Sequence, residues 1–409
     1  MWSELPPPED DKIFGIAKEY RNDKTHEQKV NLSIGAYVDE SGKAICFKSV
    51  QKAMSNCAKD PEVGYLMPRG DLVFCELSQK LLFSVPEVDD RIVSIQAPSG
   101  TGALTVAANL CKELFSRTAS QPVAYVSNPT WPIHKTLFGV QCGYVVKEYG
   151  YWDAAKLTID DAKFRSDMDS ANEHSVIITH ACAHNPTGQD LSHEQWEFVF
   201  DVCRRKQHIL VIDCAYQGFA SGDFERDAWA VRRAYEIGVQ TENQKEKLCF
   251  IVCQSYAKNM GLYGHRCGCC HIFAPGKESA EKVLSMASKI ARRIWSNPPR
   301  MGSDVVKAIL LDPQLKQEWI QELQGVSEKI RLLRAKLRTA LEQRTPMDWA
   351  HLTNQIGMFA YTGLRPDQCK RLRAEYGVYL LDTGRISVPG CTFENIDYIA
   401  DSISSVLNC

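Results

Sequence analysis

The sequence CFIVCQSYAKNMGLYGHR covers residues 249–266 of this 409-residue chain. Its first part, residues 249–253, is an apolar run that predicts a buried strand. Lys258 would then lie just past the end of a strand, where open α/β sheets bind their ligands. A lysine in such a half-dry pocket loses affinity for its proton and becomes a nucleophile toward carbonyl groups. A solvated lysine on a surface loop is the alternative that this stretch leaves open.

Apolar runs of this kind recur along the chain and alternate with helical patterns. The strand candidates are residues 91–96, 123–127, 176–180, 209–213, 249–253 and 269–273, and the helical patterns include 102–115, 192–205 and 228–238. Such alternation predicts an α/β fold in which a mostly parallel sheet lies between helices.

A long helical pattern, residues 316–344, separates two parts of the chain. It is followed by strand-like runs at 357–362 and 378–381 and by a helical pattern at 393–407. We therefore predict a large domain over residues 45–325 and a smaller α+β domain over residues 326–409. Residues 1–44 would form an N-terminal arm and part of the small domain.

The composition is that of an ordinary soluble globular protein, with 44% hydrophobic residues, 24% charged residues and a formal net charge of -2. This balance gives no indication of binding to nucleic acid or to an anionic membrane surface. No apolar run reaches the ~20 residues that a membrane span requires. Residues 1–11 lack the pattern of a signal or transit peptide, so we expect a cytoplasmic protein whose 16 cysteines are reduced, buried side chains.

Two stretches provide groups that a phosphate would bind. Ser255 and Arg266 flank Lys258, and their side chains both donate hydrogen bonds to phosphate oxygens. The turn PSGTGA, residues 98–103, follows a predicted strand and opens a helix, so its backbone N–H groups would face an anion. It could equally be a simple glycine-rich turn with a serine cap. A lysine surrounded by phosphate-binding groups predicts pyridoxal phosphate held as a Schiff base.

Asp213 ends the predicted strand 209–213, and Tyr216 follows three residues later. A carboxylate at the carboxyl end of a strand can pair with a pyridinium nitrogen and keep it protonated, which makes the ring an electron sink. The alternative is that Asp213 only caps the next segment. Trp131, just past the strand 123–127, could stack on a flat cofactor, although core packing would explain it as well.

Two groups of residues have the types that bind metals. His180, Cys182 and His184 would share one face of an extended chain, but residues two apart in a flat strand rarely converge on one ion. In the run CGCCH, residues 267–271, alternation places adjacent cysteines on opposite faces, so a buried strand is the better interpretation. We therefore predict no metal site.

Arg292 and Arg385 are ordinary taken singly, and a solvated surface charge would explain each. Their contexts, WSNPP at residues 295–299 and TGRI at residues 383–386, single them out. A planar guanidinium binds a carboxylate through two parallel hydrogen bonds. The two arginines are therefore candidates for binding the carboxylate groups of a substrate.

These pieces, in this order, resemble one family closely: the aspartate aminotransferases, of class I and fold type I among pyridoxal-phosphate enzymes, with the cytosolic form nearest. The resemblance runs from residue 30 to the C-terminus and rests on the runs at 180–188, 215–222, 225–230, 295–299 and 355–359. It implies a fold type I transferase that interconverts L-aspartate and 2-oxoglutarate with oxaloacetate and L-glutamate.

The resemblance also implies a cofactor site. Lys258 would carry the Schiff base and move the proton. Asp213 would keep the ring nitrogen protonated, with His134 and His180 behind it. The other cofactor-binding residues would be Trp131, stacked on the ring, Asn185 and Tyr216, bound to the ring oxygen, and Ser99, Gly100, Thr101, Ser255 and Arg266, around the phosphate.

The substrate-binding residues that the resemblance implies are Gly35, Trp131, Asn185, Arg292 and Arg385. Arg385 would bind the α-carboxylate, and Arg292 would reach the distal carboxylate from the other subunit. Tyr65 would cross between subunits to the phosphate in the same way, so the resemblance implies a homodimer.

Two other functions stay open at this point. A racemase acting on aspartate would use the same cofactor but return the proton elsewhere, and a catalytically weak paralogue would serve as a binding or dimerisation module. Retention of Lys258, Asp213 and both arginines argues against the second. Several residues near the site depart from the family pattern, namely Ala257, His265, Cys267 and Asp382. Asp382 lies three residues before Arg385 and could compete for it.

Overall fold

The computed structural model describes residues 2–4, 11–38, 43–117, 121–241, 243 and 247–407. Its helices are α1 (Lys12–Asn22), α2 (Lys48–Lys59), α3 (Leu72–Phe83), α4 (Ser99–Phe115), α5 (Pro132–Lys135), α6 (Asp161–Ser170), α7 (His193–Arg205), α8 (Phe224–Asp227), α9 (Trp229–Gln240), α10 (Lys277–Ile294), α11 (Arg300–Leu311), α12 (Pro313–Glu342), α13 (His351–Asn354), α14 (Pro366–Tyr376) and α15 (Ile396–Leu407). Its strands are β1 (Val30–Asn31), β2 (Ile92–Pro98), β3 (Val123–Asn128), β4 (Val145–Gly150), β5 (Trp152–Asp153), β6 (Thr158–Ile159), β7 (Val176–His180), β8 (Ile209–Cys214), β9 (Cys249–Ser255), β10 (Cys267–Phe273), β11 (Phe359–Tyr361), β12 (Val378–Tyr379) and β13 (Arg385–Ser387). Short 3-10 helices cover Trp2–Glu4 and Val388–Gly390, and a π-helix covers Thr136–Gln141.

The chain divides into two compact units. The larger unit consists of Ile45–Asn185 and Gln189–Glu328. The smaller unit consists of Met1–Ala44, Pro186–Gly188 and Lys329–Cys409. The domain limits given above, 1–44, 45–325 and 326–409, stay a prediction.

The larger unit is built on a sheet with the strand order β2-β10-β9-β8-β7-β3-β4. The pairs from β9 through β8, β7 and β3 to β4 are parallel, whereas β10 is antiparallel to both of its neighbours. The prediction of a mostly parallel sheet between helices is confirmed. Because β10 runs in the opposite direction, it begins at the edge of the sheet where β2 and β9 end.

Successive residues of the central strands face two hydrophobic clusters. On β8, Leu210 and Ile212 pack in a cluster that contains Trp196 of α7, whereas Val211 packs in a cluster that contains Ala107 of α4. Because side chains alternate along a strand, the two clusters lie on opposite faces of the sheet. Burial on both faces explains why these strands are continuous apolar runs in the sequence.

Helix α7 shows how a local signal sets a helix boundary. Ser192 Oγ accepts a hydrogen bond from the backbone N–H of Gln195 at 3.2 Å, and the Gln195 side chain accepts one from the Ser192 N–H at 2.8 Å. This capping box satisfies N–H groups that the first turn of a helix otherwise leaves without partners. The predicted helix at 192–205 therefore agrees closely with the observed one.

Strand β4 was not predicted. It lies at the end of the sheet beside β3, and its sequence, VVKEYG, carries two charged residues on exposed positions. An edge strand of this kind shows no continuous apolar run because one of its sides faces solvent. Helices α2, α3 and α6 were also absent from the prediction.

The described cysteines are free thiols, and most of them are buried. The run at 267–271 lies within β10 and is fully buried, as predicted. Its histidine, His271, has Nδ1 2.8 Å from Ser94 Oγ and Nε2 3.0 Å from Gln254 Oε1, so it is a core residue with both ring nitrogens satisfied. Cys249 differs from the expectation because it is exposed at the first position of β9.

The smaller unit contains short strand pairs. β1 runs parallel to β12, and β11 runs antiparallel to β13, with Phe359 opposite Ser387 and Tyr361 opposite Arg385. Of these strands, β11 and β12 lie within the predicted runs at 357–362 and 378–381. None of the helices in the described ranges combines the length and the hydropathy that a bilayer-spanning segment needs.

Candidate active site

Residues from several strands meet at one edge of the sheet in the larger unit. This is the edge where β2, β3, β7, β8 and β9 end and where β10 begins. Ser99 follows β2, Trp131 follows β3, Asn185 follows β7, Asp213 lies on β8, Lys258 follows β9 and Arg266 precedes β10. The edge therefore collects most of the residues that the sequence singled out.

Lys258 lies in the turn after β9 and is half-buried. Its pKa falls from 10.5 to about 8, first because burial disfavours the charged amine and second because Arg266 repels it, while Asp213 acts in the opposite sense. The amine also lies 5.5 Å from the centroid of the Tyr263 ring. Its surroundings are those of a nucleophilic amine and not of a solvated surface lysine.

Asp213 is buried near the end of β8. Its Oδ2 lies 3.1 Å from Nε2 of His134 and 4.0 Å from Nε2 of His180. Burial by itself would raise the pKa of Asp213, but the hydrogen bond from His134 and the nearby positive charge of Lys258 bring it below its ordinary value. Asp213 is therefore a buried carboxylate held in its ionised form.

The imidazole rings of His134, His180 and His184 form a row that begins beside Asp213. The ring centroids of His134 and His180 are 5.0 Å apart, those of His180 and His184 are 4.6 Å apart, and Tyr151 stacks on His184 at 4.1 Å. Burial lowers the pKa of His180 to about 3 and that of His184 well below its ordinary value. These two rings are therefore uncharged at neutral pH.

The ligand atoms of His134, His180 and Asp213 all lie within 4.8 Å of one another, the one such metal-type group among the described residues. The hydrogen bond between His134 and Asp213 accounts for this proximity without an ion. The set considered from the sequence, His180 with Cys182 and His184, is not brought together in this way within the described ranges.

The turn after β2 packs directly against the turn after β9. Ser99 is the first residue of α4, and its Oγ lies 3.0 Å from Oγ of Ser255. Ser255 Oγ also accepts a hydrogen bond from the N–H of Ala257 at 3.2 Å. A Cβ on Gly100 would lie only 3.3 Å from Ser255 Cβ, so the first turn of α4 tolerates little extra volume there. Two hydroxyls thus lie together at a helix N-terminus, the arrangement that binds anions.

Arg266 completes this group from the start of β10. Its neighbour Cys267 pairs with Pro98 of β2, and the Cys267 carbonyl accepts a hydrogen bond from the N–H of Tyr256 at 3.0 Å. The exposed guanidinium of Arg266 donates to the Tyr263 carbonyl at 3.0 Å. Ser99 and Arg266 both have positive φ, 66° and 51°, which is uncommon for residues other than glycine.

Tyr216 and Asn185 are both buried, and Trp131 is half-buried. The carbonyl of Tyr216 accepts hydrogen bonds from the N–H groups of Phe219 and Ala220, which fix the turn after β8. The Trp131 ring meets His134 edge to face, with centroids 5.6 Å apart. Trp131 thus reaches the surroundings of Asp213 while part of its ring packs on the core.

Tyr65 and Arg292 line a cavity of about 700 Å³ with residues 63–66 and 295–300. Tyr65 is 94% exposed, and Arg292 is also exposed at the end of α10, where it donates a hydrogen bond to Ser296 Oγ. Lys258 is not among the residues that line this cavity. Tyr65 and Arg292 therefore line the same cavity.

Gly35 and Arg385 belong to the smaller unit. Arg385 is 2% exposed, its guanidinium donates to the Ser33 carbonyl at 2.6 Å, and its charged carbon lies 4.3 Å from the centroid of the Phe359 ring. A Cβ on Gly35 would lie 2.6 Å from the same ring, so only glycine fits there without displacing Phe359. A solvated surface charge, the alternative considered for Arg385, is excluded by its burial.

Asp382 does not take the partner that the sequence raised as a possibility. Its Oδ1 lies 2.6 Å from a terminal nitrogen of Arg373. Arg373 is on α14, and it also donates to the Leu380 carbonyl at 2.9 Å. Asp382 therefore forms an ion pair with Arg373 instead of competing for Arg385.

Residues 27–403 match the family model described as Aminotransferase class I and II. The chain belongs to this family. The cytoplasmic aspartate aminotransferase of Schizosaccharomyces pombe is 40% identical to this aminotransferase, over 96% of this chain and 95% of its own. The mitochondrial aspartate aminotransferase of the same organism is 39% identical, over 99% of this chain and 91% of its own.

A solved structure extends the likeness to the whole fold. The aromatic-amino-acid aminotransferase from Burkholderia pseudomallei, covalently bound to pyridoxal phosphate, gives a TM-score of 0.92 at 33% identity, over 100% of this chain and 99% of that one. The resemblance to aspartate aminotransferases is confirmed by the curated relatives. Because they come from two compartments, they do not distinguish a cytosolic from a mitochondrial type.

Sequence reasoning missed two residues of this aminotransferase that contact predicted site residues, His184 beside His180 and Phe359 beside Arg385. His184 was considered only as a metal ligand, although it stacks on Tyr151 and has Nε2 2.9 Å from Ser127 Oγ. Phe359 lies in a run that carried the resemblance, but a lone aromatic residue in a short strand gives no signal that an arginine will rest on it.

Proposed function

We propose that this aminotransferase depends on pyridoxal phosphate and interconverts L-aspartate and 2-oxoglutarate with oxaloacetate and L-glutamate. The observation that carries the proposal is Lys258, an amine whose pKa is lowered to about 8, at the sheet edge that also holds the ionised Asp213. The names of the two yeast relatives support the substrates, and the bound pyridoxal phosphate of the bacterial structure supports the cofactor.

The donor set at this edge fits pyridoxal phosphate. Phosphate binding needs hydroxyls, N–H groups and a positive charge, which Ser99, Ser255, the first turn of α4 and Arg266 provide. A ring nitrogen that must keep its proton needs an ionised carboxylate, which Asp213 provides. Thr101 and Gly100 complete the turn, and Trp131, Asn185 and Tyr216 are assigned to the ring on the resemblance.

The residues of this chain divide the chemistry between a proton carrier and an electrostatic partner. When bound, pyridoxal phosphate supplies an electron sink for the charge left at the substrate α-carbon. Lys258 Nζ accepts the proton that leaves this carbon and returns it in the reverse direction. Asp213, backed by His134, stays ionised and holds the proton on the ring nitrogen.

Two arginines match the two carboxylates that aspartate and glutamate share. We assign Arg385 to the α-carboxylate, since Ser33 and Phe359 hold its guanidinium in one orientation. We assign Arg292 to the distal carboxylate, and Tyr65 to the phosphate, each acting across a homodimer interface. Their exposure and their shared cavity support this assignment, because neither residue has its charge or hydroxyl buried within its own chain.

We also propose that the protein is cytoplasmic and that its domains follow the limits 1–44, 45–325 and 326–409. The first rests on the likeness to the cytoplasmic aspartate aminotransferase of Schizosaccharomyces pombe. Fractionation of cells that produce the protein tests it, and recovery in the mitochondrial fraction would contradict it.

The test of function is a titration of the purified protein. Protein supplied with pyridoxal phosphate should show a visible absorption band that disappears on addition of L-aspartate, with oxaloacetate as product. Lys258→Ala should abolish the turnover. A protein that takes up no pyridoxal phosphate would overturn the proposal, and release of D-aspartate without oxo acid would replace it by racemisation.

A further inference from the structure

Arg334 is buried in the smaller unit, with 4% of its surface exposed. From α12 its guanidinium donates hydrogen bonds to the carbonyls of Leu352 at 2.9 Å, Gly357 at 2.8 Å and Phe359 at 2.5 Å. A buried guanidinium bound to three carbonyls fixes the position of the backbone that carries them, because each bond is charge-assisted and shielded from water.

The segment that Arg334 holds leads into β11. Gln355 contributes to the same fixation, since its Oε1 accepts a hydrogen bond from the N–H of Tyr361 at 3.0 Å. Gly357 has φ 77°, a left-handed conformation that glycine adopts without strain. The chain therefore turns sharply at Gly357, just before β11. The backbone on either side of Phe359 is thus fixed from inside the unit.

Phe359 transmits this constraint to the carboxylate-binding arginine. Its ring lies under the Arg385 guanidinium at 4.3 Å and against the backbone of Gly35, where a Cβ would approach to 2.6 Å. The ring therefore has little room to move, and it lies against the Arg385 guanidinium. The hydrogen bond to the Ser33 carbonyl holds the same guanidinium from a second direction.

We infer that Arg334 is a positioning residue for substrate binding, which acts on Arg385 through the backbone and ring of Phe359. The inference rests on the proposed function, in which Arg385 binds the α-carboxylate. Lysine at position 334 would keep the charge but could not reach three carbonyls, because its ammonium lacks the planar fork of a guanidinium. Phe359 would then lose a bond that sets its position.

The experiment measures binding of succinate, an unreactive dicarboxylate, to the protein loaded with pyridoxal phosphate. By calorimetry, Arg334→Lys should raise the dissociation constant of succinate about tenfold. Steady-state kinetics should show that KM for L-aspartate rises more than kcat falls. The matched control is Arg338→Lys, on the same helix, where the arginine bonds Glu342 and Thr353 and no carbonyl near Phe359; it should bind succinate as the parent protein does.

A second variant separates positioning from general stability. Phe359→Leu removes the ring and should weaken succinate binding by a similar factor, and the double variant should be no weaker than either single one, because both act through one path. Additive effects, or wild-type binding by Phe359→Leu, would overturn the inference. The test on Phe359→Leu remains decisive even if Arg334→Lys does not fold.

The outcomes also distinguish this inference from the proposed function. If the parent protein takes up pyridoxal phosphate and consumes L-aspartate, while both variants bind succinate normally, only the role of Arg334 is wrong. If the parent protein does neither, the proposed function fails first. Uptake of pyridoxal phosphate should be unchanged in Arg334→Lys, because none of the groups assigned to the cofactor lies on the segment that Arg334 holds.

Discussion

Nε2 of His134 lies 3.1 Å from Oδ2 of Asp213, and both side chains are buried. Because an ionised carboxylate can only accept, Nε2 carries the proton of this hydrogen bond. Nδ1 of His134 lies 2.8 Å from the Thr130 hydroxyl. The pair lets a carboxylate stay charged in a place where burial alone would raise its pKa.

Replacing the carboxylate by an amide tests this relationship. Asp213→Asn keeps the shape but removes the charge, so it should lower kcat for transamination by about two to three orders of magnitude. The measurement is steady-state turnover of L-aspartate with added 2-oxoglutarate. Retention of bound pyridoxal phosphate, read from its absorption, is the control that the site is still formed. An unchanged kcat would show that Asp213 does not act on the ring nitrogen.

The cost of burying the Lys258 amine should appear as a pH dependence of stability. In cofactor-free protein its pKa is lowered from 10.5 to about 8, so between these values the unfolded state binds more protons than the folded state. The buried amine lowers the free energy of unfolding at neutral pH. This loss disappears as the pH rises from about 8 to 10.5. Lys258→Met should unfold at a higher temperature than the parent at neutral pH, and the difference should shrink across this window. Parallel curves at all pH values would contradict the lowered pKa.

The close contact between β10 and the phosphate turn predicts a binding defect. A Cβ on Gly268 would lie 2.5 Å from the Gln254 carbonyl and 2.9 Å from Ser99 Cα, so Gly268→Ala must displace backbone. We expect a loss of about 1–3 kcal/mol in stability and weaker uptake of pyridoxal phosphate. Gly276→Ala is the control, because its Cβ would meet none of the described atoms within 4 Å. Equal uptake by the two variants would show that the turn is not a phosphate site.

A shared site should be visible in mixed dimers. Lys258→Ala and Arg292→Leu should each be inactive, but in a refolded mixture half of the dimers would carry one intact site, restoring about a quarter of the parent activity. Lys258→Ala mixed with Arg385→Leu is the control and should stay inactive, since those two residues would serve the same subunit's site. Failure of the first mixture, with subunit exchange verified, would place Arg292 in the site of its own chain.

Local sequence predicted the central strands because each is buried on both faces and therefore continuously apolar. It did not predict β4, whose charged residues reflect its place at the edge. The direction of β10 was likewise not readable from its residues, since parallel and antiparallel partners bury the same side chains. That direction matters, because it brings Arg266 to the edge that holds Lys258.

The sequence by itself determined that Lys258 follows a buried strand and that Asp213 ends the strand predicted before it. It also determined the local contexts that single out Arg292 and Arg385. Periodicity and turn chemistry act over a few residues, so they are legible along the chain. Only the tertiary structure decided which groups meet across long separations. In the fold, Asp382 pairs with Arg373, and the Phe359 ring contacts the Arg385 guanidinium. Three backbone carbonyls accept hydrogen bonds from Arg334. Such partners depend on packing of the whole unit, which no local pattern specifies.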